Sequence, residues 1–222
     1  VAGAAPASAR RFRRALARAG RWVREQYGLR EIIVPEKYRV EAKHEIVVTY
    51  SSSLALVYFA DEERALEALD ISGDVRKDAL RQALIEHRGI GVVFCRDRGD
   101  VVAMGKSGRS WIHDGRITRV EGEDPVVAYG TEPHVLRSIE SLVNQPNGGD
   151  LVLFGAYDGY EIVSFDDQVG AHGSAGGDQV RPFLITPPGV EVANETIEDA
   201  RDLHRLIMSR YALSRDTRPD GI

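Results

Sequence analysis

The sequence holds one cysteine, Cys95, in 222 residues, which excludes a disulfide framework and any zinc site built on cysteine pairs. It has no apolar run approaching the roughly 18–20 residues that cross a bilayer. Its N-terminus also lacks the apolar stretch of a secretory signal, so the segment reads as soluble and leaves the compartment of its parent open. Positive charge is not in excess: Lys plus Arg total 29 against 34 Asp plus Glu, a net charge of −5. That balance removes the global electrostatic argument for a nucleic-acid partner, and none is expected. Nor does an adjacent Asp-His pair occur anywhere in the chain. What is present is the composition of a folded domain, 43% hydrophobic and 28% charged with 22 glycines.

Charge is unevenly spread. Residues 1–30 contain eight arginines and one acid, while the rest of the chain is acidic. Arg10, Arg11, Arg13, Arg14, Arg18, Arg21 and Arg24 interleave with Phe12, Leu16, Ala19, Trp22 and Val23 at helical spacing. This gives a basic amphipathic helix or linker over 1–30, followed by the main domain over 31–222. The plain reading is a solvated helix that packs its apolar stripe on the domain; residues 10–24 also have the pattern of a membrane-surface helix. The first residue is Val1 and the opening text is rich in Ala, Gly, Pro and Ser, as expected of a processed or truncated product.

Pattern then sets the elements. Leu29–Val34, His44–Tyr50 and Leu54–Ala60 read as strands, the last two joined by a Tyr50-Ser51-Ser52-Ser53 turn. Asp61–Leu69 and Asp74–His87 have helical spacing and acidic starts. Ile90–Cys95 is a buried strand; Val101–Met104, Arg109–His113 and Ile117–Val120 make a small β meander around Gly105–Gly108 and Asp114-Gly115 turns. Pro133–Val143 is a helix, Leu151–Phe154, Tyr160–Val163 and Phe183–Ile185 are strands with Phe183 and Leu184 in the core, and Glu195–Leu213 is a closing helix capped by Asn194. Alternating strands and helices give an α/β sheet, with the hairpins of residues 90–120 as an antiparallel embellishment at its edge. Ligands in such sheets gather in loops beyond strand ends, which singles out the glycine-rich loop 165–181.

Two motifs are decoys. Gly105-Lys106-Ser107 ends like a phosphate-binding loop, but the first glycine of that motif is out of register, because position 100 is Asp, and a strand follows where a helix is required. Arg98-Gly99-Asp100 is a chance tripeptide in a turn. His44, His87, His113 and His204 lie at a strand start, a helix end, a hairpin and a helix face with no partner at ligand spacing, and read as structural or exposed; His134 beside Glu132 is a weak candidate. His172 differs. It sits in Gly170-Ala171-His172-Gly173-Ser174-Ala175-Gly176-Gly177-Asp178-Gln179, where Gly170, Gly173, Gly176 and Gly177 let the backbone approach a ligand and one imidazole stands among small side chains.

The stretch Val163–Ile185 resembles the C-terminal segment of the alkaline phosphatase superfamily, in the bacterial branch related to type I phosphodiesterase/nucleotide pyrophosphatase. There a Gly-x-His-Gly followed by Gly-Gly-x-Gln-x-x-Pro-Phe-Leu closes the metal site. Leu54–Phe59, His87–Gly91 and Arg119–Pro125 are similar too, in the same order, so the resemblance spans roughly residues 45–210. Ser174-Ala175 departs from it, standing where that branch often has Gly and a larger apolar residue. The resemblance implies an alkaline-phosphatase-like three-layer α/β/α fold. It implies hydrolysis of phosphate esters with two divalent ions, zinc first and manganese next, and His172 as a ligand of one ion. It also implies a Thr or Ser nucleophile, expected upstream of Val1 rather than in this chain.

One imidazole cannot define a two-ion site, since a catalytic ion needs about three protein ligands. The chain is therefore expected to be the C-terminal part of a longer hydrolase, inactive alone and incomplete in its sheet. The missing N-terminal half would be its partner, and a small phosphate ester its ligand. Asp166 is a candidate to orient the histidine, and Gln179 and Arg181 are candidates to reach a phosphate oxygen. The alternative is a non-catalytic, degenerate or split domain that acts in partner binding.

Overall fold

The computed structural model describes residues 32–33, 45–167, 171–188, 192 and 197–211. The basic segment 1–30, Gly170 and Asn194 lie outside the described residues. The chain divides into two compact units, Val1–Pro182 and Phe183–Ile222.

In the first unit, short runs of β-branched and aromatic residues separated by two-residue turns fold as successive hairpins. The strands are β1 (Ile32–Ile33), β2 (Ile46–Ser51), β3 (Leu54–Phe59), β4 (Ile90–Asp97), β5 (Asp100–Gly105), β6 (Gly108–His113), β7 (Arg116–Gly122) and β8 (Leu151–Gly155). They form one sheet in the order β1-β2-β3-β8-β4-β5-β6-β7. β2 through β8 are joined by antiparallel pairings, and only the two-residue β1 runs parallel to its neighbour. β8 inserts between β3 and β4, and all five of its residues are buried, as its unbroken apolar text requires.

The period-2 alternation of a strand sends neighbours to opposite faces. Val93, Cys95, Leu151 and Leu153 pack on one face with Ile71 of α1 (Ala68–Gly73) and Leu80 and Leu84 of α2 (Val75–Ile85). Val92, Phe94, Val152 and Phe154 pack on the other with Leu136, Ile139 and Val143 of α3 (Pro133–Val143). Phe94 meets Phe154 edge-on at 5.0 Å between ring centres. Each such buried side chain stabilises by about 1.5–3 kcal/mol relative to exposure. The helix starts are written in the sequence: Asp74 accepts from the Arg76 and Lys77 amides, and Pro133 stands at the opening of α3.

The mixed α/β class holds, but several expected elements need correction. The residue 90–120 hairpins are not an edge embellishment: β4 lies against β8 in mid-sheet, and β4–β7 make up half of the sheet. The expected Asp61–Leu69 helix is replaced by α1, which begins at Ala68. The Asp150 carboxylate holds the Leu66 amide at 2.9 Å, Glu67 bridges to Arg96, and a Glu67–Asp70 capping box sets the start. Tyr160–Val163 contributes a single bridge, Tyr157 to Ile162, because Asp158 accepts from the Tyr160 and Glu161 amides and closes a tight turn.

In the second unit Phe183–Ile185 is not a core strand. Phe183 is 87% and Ile185 82% exposed, and no strand among the described residues pairs with them. An apolar run shows that burial is favourable without supplying the neighbour that achieves it. The closing helix α4 (Ala200–Tyr211) starts later than its pattern implied. Asp199 accepts from the Arg201 and Asp202 amides, and Asp202 returns a bond to the Asp199 amide. No helix among the described residues is long and apolar enough to cross a membrane.

Candidate functional site

The β2–β3 hairpin turns on two residues, Ser52 and Ser53, with Ser51 paired to Leu54. Both serines are fully buried, and a buried hydroxyl requires partners. The glycine-rich loop supplies them. The His172 amide donates to Ser52 Oγ at 2.9 Å, and the His172 carbonyl accepts from the Ser53 amide at 3.0 Å and from Ser53 Oγ at 2.7 Å. Since Ser53 has one hydroxyl proton and directs it to that carbonyl, Ser174 Oγ, 2.7 Å away, is the donor to Ser53 Oγ.

The entrance of the loop is tied to the same turn. Phe165, buried in the core, donates its amide to the Ser52 carbonyl at 2.6 Å, and the Ser52 amide donates to Asp166 Oδ2 at 2.9 Å. The end of β8 is held there as well, through the Gly155 amide and the Ser53 carbonyl at 2.8 Å. The candidate loop therefore lies where β2 and β8 end and where β3 begins. The main chain of His172 is fully engaged by the two serines, while its side chain is exposed.

Glycine is required where the loop meets the hairpin. Gly173 has φ +94°, and a Cβ there would lie 3.0 Å from both Leu54 Cβ and the Ser51 carbonyl oxygen. Gly177, at φ +63°, would bring its Cβ to 2.8 Å from the Tyr157 hydroxyl.

The other expected site residues are placed as follows. Asp166 accepts from the Ser52 amide and from Ser164 Oγ at 2.9 Å, so its carboxylate fastens the loop to the hairpin. Gln179 donates from Nε2 to the Ala175 carbonyl at 3.0 Å and bridges the loop internally. Arg181 is exposed just beyond it. Among the remaining histidines, His87 accepts the Gly89 amide on Nδ1 at 3.1 Å, and burial lowers its pKa, which suits a neutral ring closing the end of α2. His113, the last residue of β6, places its Nδ1 2.8 Å from the Asp100 carboxylate.

By sequence alone Ser51–Ser53 is no more than a turn. The signal was the residue type: a two-residue hairpin that needs positive φ favours Asn or Gly, yet serine occupies it, with Ser52 at φ +54°. Away from this site, Lys77 is buried beside a small hollow lined by Ile46 and Phe59. Burial opposes its charge, but Glu62 at 2.7 Å with Asp61 and Asp74 raises its pKa overall, so it is a paired structural cation.

No group of three or more His, Cys, Asp and Glu side chains placed to hold a metal ion occurs among the described residues. Tested by donor chemistry against a two-ion centre, the loop offers one fitting nitrogen ligand, His172, and the rest of such a centre would come from outside the described residues. No family model, curated protein or solved structure matches this chain.

Proposed function

We propose that this chain supplies one metal-ligand loop to a metal-dependent phosphoester hydrolase of the phosphodiesterase or nucleotide pyrophosphatase type. Its sheet, with helices on both faces, would form part of an alkaline-phosphatase-like three-layer fold. The observation that carries the proposal is the combination at His172: a main chain held by two buried serines and an exposed imidazole. A ligand needs both, because metal ligation rewards a donor whose position is fixed before the ion arrives.

Two divalent ions, zinc or manganese, held in part by His172, would supply polarisation of the phosphoryl oxygen and stabilisation of the attacking and leaving oxygens. This chain's own residues do the holding. His172 offers a ring nitrogen, Gly173 and Gly177 let the loop lie close to the hairpin and Tyr157, Asp166 fastens the loop to the hairpin, and Gln179 braces it internally. The exposed Phe183 and Ile185 favour a second reading, a non-catalytic domain that works by binding a partner.

The test compares the polypeptide as its gene encodes it with its His172→Ala variant, by metal content and by hydrolysis of bis(p-nitrophenyl) phosphate and p-nitrophenyl phosphate. The expected result is about two bound ions per chain and turnover that collapses in the variant. Metal-free protein without turnover would leave the partner-binding reading.

A further inference from the structure

We infer that Ser52 and Ser53 are positioning residues, which fix the direction from which the His172 imidazole meets a metal ion; this rests on the ligand reading proposed for His172. Two other hairpins of the sheet each reach a distant segment through one main-chain amide, Arg98 to the Glu67 carboxylate and Gly115 to the Glu140 carboxylate, and neither holds both main-chain groups of a single residue. β4–β5 turns on Arg98 (φ +56°) and Gly99 (φ +93°), and β6–β7 on Asp114 (φ +51°) and Gly115 (φ +70°). Arg98, Gly99 and Asp114 are exposed. The serine turn is buried, and three of its groups are spent on one residue of a segment about 120 positions away in sequence.

Those bonds define a direction. With the His172 amide fixed on Ser52 Oγ and its carbonyl fixed on Ser53, both peptide planes flanking the Cα are set, and with them the Cα–Cβ bond that carries the ring. Ser174 and Asp166 fasten the loop on either side, so the ring cannot be redirected by a shift of the loop as a whole. Apolar packing could have held such a loop, but packing is non-directional, whereas hydrogen bonds fix orientation. The seat thus holds a single residue, His172, and leaves its imidazole exposed.

The experiment uses the encoded polypeptide and three variants. Ser53→Ala removes the hydroxyl bond to His172, Ser52→Gly removes the acceptor of the His172 amide while permitting the positive φ, and Ser53→Thr keeps a hydroxyl. Affinity for Zn²⁺ and Mn²⁺ is read by calorimetry, kcat and KM with bis(p-nitrophenyl) phosphate, and native structure by circular dichroism and thermal melting. Ser53→Ala and Ser52→Gly are expected to fold, to bind metal about 10- to 100-fold more weakly, and to lose kcat with little change in KM. Ser53→Thr is expected to restore affinity. Amide hydrogen exchange at His172 gives a metal-free reading and should accelerate in Ser52→Gly.

Folded Ser53→Ala and Ser52→Gly proteins with parental metal affinity, beside a His172→Ala protein that has lost it, would overturn this inference and leave the ligand reading standing. A His172→Ala protein with unchanged metal affinity and turnover would overturn the ligand reading, and this inference with it. If Ser53→Ala does not fold, Ser52→Gly decides the matter alone.

Discussion

At the start of β8 the buried carboxylate of Asp150 accepts the Phe59 amide at 2.8 Å and the Leu66 amide at 2.9 Å, whereas at its end two buried serines grip the main chain of His172. Both devices satisfy polar groups inside the fold, and both tie a distant segment to the sheet. They differ in what they leave exposed. Asp150 takes amides from a strand end and from the run into α1, and the residues it holds, Phe59 and Leu66, are themselves core. The serines take both main-chain groups of a residue whose ring stays in solvent. Closure is the whole purpose at one end; presentation is added at the other.

Removing Asp150 should produce the largest loss of stability. Asp150→Ala leaves two buried amides without an acceptor, and bonds to a charged acceptor are the stronger kind, so a loss of about 3 kcal/mol is expected in urea denaturation at neutral pH. Asp150→Asn, which keeps a single acceptor oxygen, should fall between the two. A loss below about 1 kcal/mol would break the comparison, since amides left unpaired in a closed interior cannot cost so little.

The serine end is sharpened by a matched pair of glycines. Gly173 and Gly159 have nearly the same dihedral, φ +94° and +93°, but a Cβ on Gly173 would press on Leu54 and Ser51 at 3.0 Å while one on Gly159 would meet nothing within 4 Å. Gly159→Ala should cost only the dihedral penalty, about 1–2 kcal/mol. Gly173→Ala should cost more, and the excess measures how closely the loop is seated on the hairpin. Equal melting temperatures for the two variants would mean that it is not seated there.

How much of this was legible in the sequence depended on whether the signal was local. β2, β3, β4 and the meander were readable because apolar alternation and the Asp114-Gly115 turn are written within a few residues. The glycine pattern around His172 was readable for the same reason. The insertion of β8 between β3 and β4 was not, because pairing partners are chosen by the assembled sheet. The Asp150 bonds that delay α1 to Ala68 join residues more than 80 positions apart, so the Asp61–Leu69 pattern looked helical in isolation. The serine seat escaped for the same reason: a hydroxyl announces that it will bond, but not to what. Phe183–Ile185 is the converse case, a local apolar signal for which the described chain provides no partner.

Asp70 provides the smallest effect and the clearest contrast with Asp150, being a carboxylate paired at the surface. Arg64 donates to it from both terminal nitrogens, at 2.8 and 2.7 Å, and the Glu67 amide adds a third bond at 2.9 Å. The Arg64 bonds, followed by the Glu67 amide, hold its pKa down at about 2. A depressed carboxylate stabilises the fold only while ionised, so its contribution is complete above the ordinary carboxylate value of about 4 and fades as pH falls toward 2. A ¹³C carboxyl titration should therefore place the midpoint of Asp70 near 2, and Arg64→Ala should raise it toward the ordinary value. The same substitution should lower stability at pH 7 far less than Asp150→Ala does, because solvent screens an exposed pair. An Asp70 midpoint unmoved by Arg64→Ala would assign the depression to the capping amide of α1 alone, making the surface carboxylate, like the buried one, a device for main-chain closure.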